Sequence, residues 1–220
     1  MKKIKVLNLY ACLGGNLYKW DQVSKTAGVI LEVTAVELDP ELSRMYKERF
    51  PNHKVVIEDA HQYLLNNYKK FDFIWSSPPC PTHSKSRFAR RDTTTPIFPD
   101  LKLYEEIIFL KHHFKGKFVV ENVIPYYEPL IPAKKRGRHL YWTNFNLPNV
   151  LSERKGNIME GKNEMNRWCE FHNIDISSYK GTQRKDKIAR NLVDYEAGKT
   201  IFETYLGIYK SDNANQTSLF

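Results

Sequence analysis

Short runs of β-branched and aromatic residues recur along this chain with helical stretches between them, and that alternation restricts the fold more than any other feature. "IKVLNLY" (4–10), "VTAVEL" (33–38), "KVVI" (54–57), "FDFIWS" (71–76), "KFVVEN" (117–122) and "HLYWTNF" (139–145) read as strands. Asp39, Pro40 and Glu41 supply an N-cap, a first-turn proline and a dipole-favoured acid for a helix over 40–50. Leu101 to Phe114, with Leu103, Ile107, Ile108 and Leu110 on one face, reads as a second helix. The order implies an α/β fold, a mostly parallel sheet wound on both faces, with ligands bound beyond the carboxyl ends of the strands. After Phe145 the chain turns polar and charged, and it regains helical character at Glu196 to Tyr209.

A chain of 220 residues with 41% hydrophobic content can bury a substantial core as one large domain, or one domain plus a small appendage. The net charge of +9 favours a polyanionic partner, nucleic acid first among them. Cys12, Cys80 and Cys169 are widely spaced and odd in number, which argues against a disulfide framework or a zinc pair and for a reducing, cytoplasmic setting. No metal site is expected. "MKKIKVLNLYAC" superficially suggests an export signal, but Lys5 and Asn8 interrupt an apolar stretch already too short for one. No window approaches the ~18 to 20 apolar residues of a membrane span.

Gly14 and Gly15 follow the first strand directly, where the chain must turn sharply and let a ligand approach its backbone. The acid ending the second strand, Glu37, lies 22 residues after Gly15, about where a Rossmann-type site bonds ribose hydroxyls. Asp59, after the third strand, is placed to accept from an adenine amino group or to cap the next helix. Together these loops describe an adenosine-containing cofactor. The lack of a phosphate fingerprint favours S-adenosylmethionine over a dinucleotide.

The fourth strand then delivers "SPPCP", a cysteine held stiffly between Pro79 and Pro81, into the same crevice. A ring carbon such as C5 of cytosine is too weak a nucleophile to take a methyl group unaided, but a soft thiolate added at C6 turns the ring into an enamine that can. Glu121 at the end of the fifth strand is suited to donate to N3 of that base while accepting from its N4 amino group. Asn122 beside it could simply serve a turn.

These motifs, in this order, resemble the DNA (cytosine-5)-methyltransferase family, and the resemblance implies a Rossmann-like, S-adenosylmethionine-dependent methyltransferase fold. "NLYACLGG" resembles its cofactor loop (Tyr10, Ala11, Gly14, Gly15), "VELDPE" its ribose acid (Glu37, with Leu38), "EDA" its adenine contact (Asp59, Ala60), "SPPCP" its nucleophile loop (Pro78, Cys80) and "ENV" its catalytic glutamate. "KKRGRHLYW" resembles its arginine motif, so Arg136 and Arg138 are expected to help hold a flipped cytosine and the nucleophile loop, and Asn191 in "RNLVDYEAG" is expected to complete the cofactor pocket. Pro81, Lys134 and Arg190 depart from the residues usual at their positions.

The implied activity is methyl transfer to C5 of cytosine in duplex DNA, with a tRNA cytosine-5 methyltransferase or a catalytically silent DNA-binding subunit as the alternatives. Such an enzyme would serve a restriction system or protect phage or mobile DNA. Lys85, Arg87, Arg90 and Arg91 after the cysteine suit a loop that closes over DNA, and a target base must leave the stack to reach Cys80. The division expected is a catalytic core over 1–145, a reduced recognition region over 146–189, a helix over 190–209 that completes the core, and a flexible tail over 210–220. The recognition region carries Arg154, Lys155, Lys162, Arg167, Arg184, Lys185 and Lys187, enough for phosphate contacts and a short or degenerate target, while Trp168 and Cys169 read as packing residues. The tail ends in Gln216, Thr217, Ser218, Leu219 and Phe220, which resembles the pentapeptide that docks bacterial replication proteins on the sliding clamp. The chain is expected to act as a monomer.

Overall fold

The computed structural model describes residues 1–90, 92–93, 95–152 and 163–210. Its centre is a sheet of seven strands: β1 (Lys2–Leu9), β2 (Val29–Val36), β3 (Lys54–Val56), β4 (Phe73–Ser76), β5 (Lys117–Val123), β6 (Lys134–Arg136) and β7 (His139–Thr143), in the spatial order β3-β2-β1-β4-β5-β7-β6. The first five run parallel, and β7 and β6 close the far edge as an antiparallel hairpin. The helices are α1 (Trp20–Ala27), α2 (Pro40–Arg49), α3 (Ala60–Asn67), α4 (Lys85–Phe88), α5 (Lys102–His113), α6 (Glu164–His172), α7 (Lys185–Arg190) and α8 (Tyr195–Leu206).

Period-two alternation in the strands sorts the core. Val6, Phe73, Trp75 and Val119 pack on one face with Trp20 of α1 and Phe202 of α8. Leu7, Leu9, Ile74, Phe118 and Val120 face α3 and α5 on the other. The chain leaves β1 toward one side of the sheet and β4 toward the opposite side. The β1–β4 boundary is therefore the topological switch point, and a crevice opens there beyond the strand ends.

The α/β reading and the mostly parallel sheet match this architecture. Asp39 caps α2 as its sequence indicates, its side chain accepting from the backbone N–H groups of Glu41 and Leu42. Asp59 does the same for α3 through Gln62 N. Two details differ from the expectations. Lys134–Arg136 form a strand although three consecutive basic residues carry no strand pattern, because Gly137, at φ 56°, lets the chain fold back on β7. On α5, Ile108 is half exposed, and the residue buried with Leu103, Ile107 and Leu110 is Glu106.

The end of the chain locks the crevice from behind. Trp20 stacks on Phe202 at 4.4 Å, and its indole N–H donates to Gly198 O at 3.0 Å. A Cβ at Gly198 would run into the backbone of Asn16, in the loop after β1. Gly198→Ala is therefore expected to lower stability by about 2 to 3 kcal/mol, since backbone rather than a pliable side chain must give way. Urea denaturation of the two proteins checks this.

Candidate active site

The crevice is a cleft of about 870 Å³ walled by the loops that follow β1, β2, β3, β4 and β5 and by residues 181–193. On the β1 side the chain turns through Tyr10 and Cys12, both with positive φ (53° and 46°), conformations that cost non-glycine residues on the order of 1–2 kcal/mol each. Tyr10 and Cys12 form the wall here. Ala11, Gly14 and Gly15 lie behind it, and the two glycines meet the chain itself in place of the ligand approach expected of them. A Cβ on Gly14 would stand 2.5 Å from the Phe50 ring, and one on Gly15 would stand 2.8 Å from Val193 O.

Glu37 organises the next stretch. Its carboxylate accepts from Cys12 N at 2.8 Å and from Asp39 N at 3.0 Å, so the first and second loops hang on one side chain. Burial raises its pKa against the pull of those N–H donors. Each oxygen keeps a lone pair toward the cleft. Leu38, 65% exposed, offers an apolar surface beside it, and Asp59 and Ala60 continue the wall.

On the other side of the switch point, β4 ends at Ser76 and the chain passes through Ser77, Pro78 and Pro79 to Cys80, all but Ser76 lining the cleft. The turn after the cysteine is closed by His83 N and Ser84 N, which donate to Cys80 O at 3.0 and 3.1 Å. Asn122 does more than serve a turn. Its Nδ2 donates to Pro78 O at 2.9 Å, tying the end of β5 to the prolines that carry the cysteine. Glu121 is buried and lines the same cleft as Cys80. Burial first, and then the nearby Glu121 carboxylate, raise the Cys80 thiol above its ordinary pKa, while Lys187 pulls it down.

The basic residues are distributed differently from the sequence expectation. Arg136 donates through Nε to Pro148 O at 2.5 Å and also reaches Leu147 O and Asn149, so it secures the loop after β7 and does not line the cleft. Arg138 is exposed in the β6–β7 turn, and its neighbour His139 lies with Nε2 3.7 Å from Glu121 Oε1. Lys85 and Arg90 are exposed in the segment that follows Cys80, and Arg87 donates to Thr95 O at 2.7 Å. Arg184 is paired with Asp186 through two bonds of 3.0 and 2.9 Å, and Lys185 donates to Ser177 O at 2.6 Å. Arg91 and the tail residues Gln216, Leu219 and Phe220 lie outside the described residues, as do Arg154, Lys155 and Lys162.

Residues 163–189 pack against α2 and the β1 loop, burying Trp168, Cys169, Tyr179 and Ile188 with Leu13, Leu42 and Met45. Tyr179 OH and Gln183 Nε2 donate to Asp39 Oδ2 at 2.7 and 2.9 Å. Gly181, Thr182, Gln183 and Lys187 thereby wall the Glu37 end of the cleft, and Asn191 joins them. Sequence reasoning missed His139 and Gln183 as site residues and gave Asn122 and Lys187 other roles, a turn and a phosphate contact. Asn122 and His139 sit inside quoted motifs beside the residues singled out there, whereas Gln183 and Lys187 reach the cleft only through the fold.

A mostly parallel Rossmann-like sheet with an acid-lined crevice at its switch point defines a methyltransferase fold. Two solved structures share it over nearly their whole length. The S. pombe Dnmt2 methyltransferase matches with a TM-score of 0.54 at 11% identity, over 94% of this chain and 98% of that one. The Entamoeba histolytica methyltransferase EhMeth matches with a TM-score of 0.52 at 10% identity, over the same shares. No curated protein matches the sequence. The family described as C-5 cytosine-specific DNA methylase matches residues 4–125, more than half of the chain, and the chain belongs to that family.

The electrostatics around Cys80 give a direct test. Iodoacetamide should label Cys80 slowly at neutral pH, with the rate climbing as the solution is made more alkaline, because burial and the Glu121 carboxylate hold the thiol pKa above its ordinary value. Cys12, buried and pushed up to about 12, should stay unlabelled. Lys187→Met removes the positive charge that favours the thiolate and should slow labelling by about two- to fivefold at pH values where the thiol is mostly protonated. Peptide mapping by mass spectrometry reads all three, and an unchanged Cys80 rate in Lys187→Met would show that the charge does not reach the thiol.

Proposed function

We propose that this chain transfers a methyl group to C5 of cytosine in duplex DNA, using S-adenosylmethionine as the donor. The observation that carries the reading is that Cys80 and Glu121, delivered by adjacent parallel strands, open onto the same cleft as Glu37 and Asp59. The donor set fits the cofactor: Glu37 for ribose hydroxyls, Leu38 for the face of the adenine, Asp59 for its amino group, with Pro78 and Asn191 closing the pocket. When bound, the cofactor supplies an electrophilic methyl group.

The chain's own groups prepare the base. Cys80 thiolate forms a bond to C6, and the C5–C6 π pair becomes available at C5 while Glu121 donates to N3 and accepts from the N4 amino group. Once C5 carries the methyl group, its proton leaves to water. The electron pair of that C–H bond restores the double bond and expels the sulfur, and N3 returns its proton to Glu121. A stacked base cannot reach Cys80, so the target rotates out of the duplex. The exposed Lys85 and Arg90 support phosphate contacts beside the cleft, and Phe98, exposed between Pro96 and Pro99, offers an apolar contact there.

A duplex containing 5-fluorocytosine tests the chemistry, because fluorine at C5 blocks proton loss. With cofactor present, Cys80 should remain covalently attached, and Cys80→Ala should give no adduct. An adduct that persists in Cys80→Ala, or none in the wild-type protein, would contradict the assignment. Labelled-methyl transfer should favour duplex DNA over tRNA by at least about tenfold, roughly the 1.4 kcal/mol that a single good contact supplies. The reverse preference would move the activity to RNA.

A further inference from the structure

Glu106 is a carboxylate in the wrong place for an ordinary helix. It sits on the core face of α5 between Leu103 and Leu110 and is 1% exposed. Burying a carboxylate there costs several kcal/mol unless its oxygens are well bonded, and three side chains meet them. Tyr10 OH donates to Oε1 at 2.5 Å, Ser76 Oγ donates to Oε2 at 2.5 Å, and His61 Nδ1 lies 3.0 Å from Oε1.

Each partner belongs to a segment that builds the cleft. Tyr10 is itself a wall residue, held in a left-handed conformation (φ 53°) that a tyrosine adopts only under constraint. His61 follows Asp59 and Ala60 in the first turn of α3. Ser76 is the last residue of β4, from which the chain runs through Pro78 to Cys80. The cofactor side and the nucleophile side of the switch point therefore share one buried acceptor.

We infer that Glu106 is a positioning residue that sets the cofactor loop and the nucleophile strand relative to one another, so that cofactor affinity and Cys80 placement depend on a single carboxylate. The inference deepens the proposed reading of this cleft as a methyl-transfer site and rests on it. Tyr10 and Ser76 are its two arms. Ser76 is in register with Leu9, the residue before Tyr10, so Glu106 adds a side-chain tie to two strands already paired, and removing either hydroxyl leaves an otherwise isosteric side chain.

The experiment uses two readouts that need no nucleic acid: calorimetric binding of S-adenosylhomocysteine, and the rate of iodoacetamide labelling at Cys80. Tyr10→Phe should weaken binding about five- to thirtyfold and change labelling less than twofold, and Ser76→Ala should change labelling by about threefold or more and leave binding within twofold. Glu106→Gln should do both, and adding either arm substitution to Glu106→Gln should have little further effect. Circular dichroism and thermal melting establish that each variant is folded. If Glu106→Gln fails to fold, the Tyr10→Phe and Ser76→Ala pair decides. Folded variants with binding and labelling unchanged, or arm effects that multiply undiminished in Glu106→Gln, overturn the inference. Absence of S-adenosylhomocysteine binding by the wild-type protein overturns the cofactor reading itself. Binding and labelling that respond as stated, without methylation of DNA, leave the positioning role standing and refute only the substrate.

Discussion

The register of two parallel strands governs the chemistry this chain can do. In β4 and β5, Ser76 stands opposite Val120; β4 ends there, while β5 runs on to Val123, paired on its other side with β7. Glu121 then lies one residue past that level and Cys80 four, and the Asn122 bond to Pro78 O fixes the distance between the two exits. The prolines remove the torsional freedom a loop of that length would otherwise have. Thiol and carboxylate are thus held by sheet geometry. A slip of one residue in β5 would turn Glu121 to the α5 face and put Asn122 in its place.

The field inside the cleft is opposite in sign to the charge of the chain. The formal net charge is +9, yet Glu37, Asp39, Glu41, Asp59, Asp100 and Glu121 all stand on the wall, against Arg44, Lys102, Lys187 and Arg190. The acids are tolerable because backbone and side-chain donors meet them. Asp39 illustrates the balance: burial pushes its pKa up, but donors from Tyr179, Gln183, Leu42 and Glu41 outweigh it and leave the group below its ordinary value. Much of the basic surplus lies outside, on α4 and the polar segments. On the proposed reading, the wall acids would face a cationic cofactor and the outer basic residues a polyanion.

Legibility of this architecture in the sequence follows the range of the interactions involved. The parallel strands were legible because burial on both faces imposes a local composition, and α2 was legible because Asp39, Pro40 and Glu41 satisfy a helix start within three residues. Cys80 and Glu121 could be read because strand ends in such a fold converge. The misreadings at the site are long-range. Arg136 looks like a site residue until the loop at 147–149 supplies its acceptors, and Gly14 and Gly15 look like a ligand cradle until Phe50 and Val193 fill the space. Glu106 is intermediate: spacing from Leu103 and Leu110 puts it on the buried face, but its partners Tyr10, His61 and Ser76 are contributed by three other elements.

The segment after the hairpin shows how a short chain economises on parts. Residues 146–189 were expected to form a reduced recognition region, and the described residues 163–189 within it commit much of their side-chain surface to α2 and the end of the cleft. Trp168 donates to Leu192 O at 3.2 Å, Tyr179 and Gln183 bind Asp39, and Arg184 is neutralised by Asp186. These contacts bury the apolar side of α2 that would otherwise face water, and they close the Glu37 end of the cavity in the same stroke. Among the described residues, the exposed basic groups beside Cys80 are Lys187 on the cleft wall and, in the loop that follows the cysteine, Lys85 and Arg90. On the proposed reading the loop after Cys80 would serve both catalytic placement and phosphate contact, so a substitution that reorders it is expected to alter the two together.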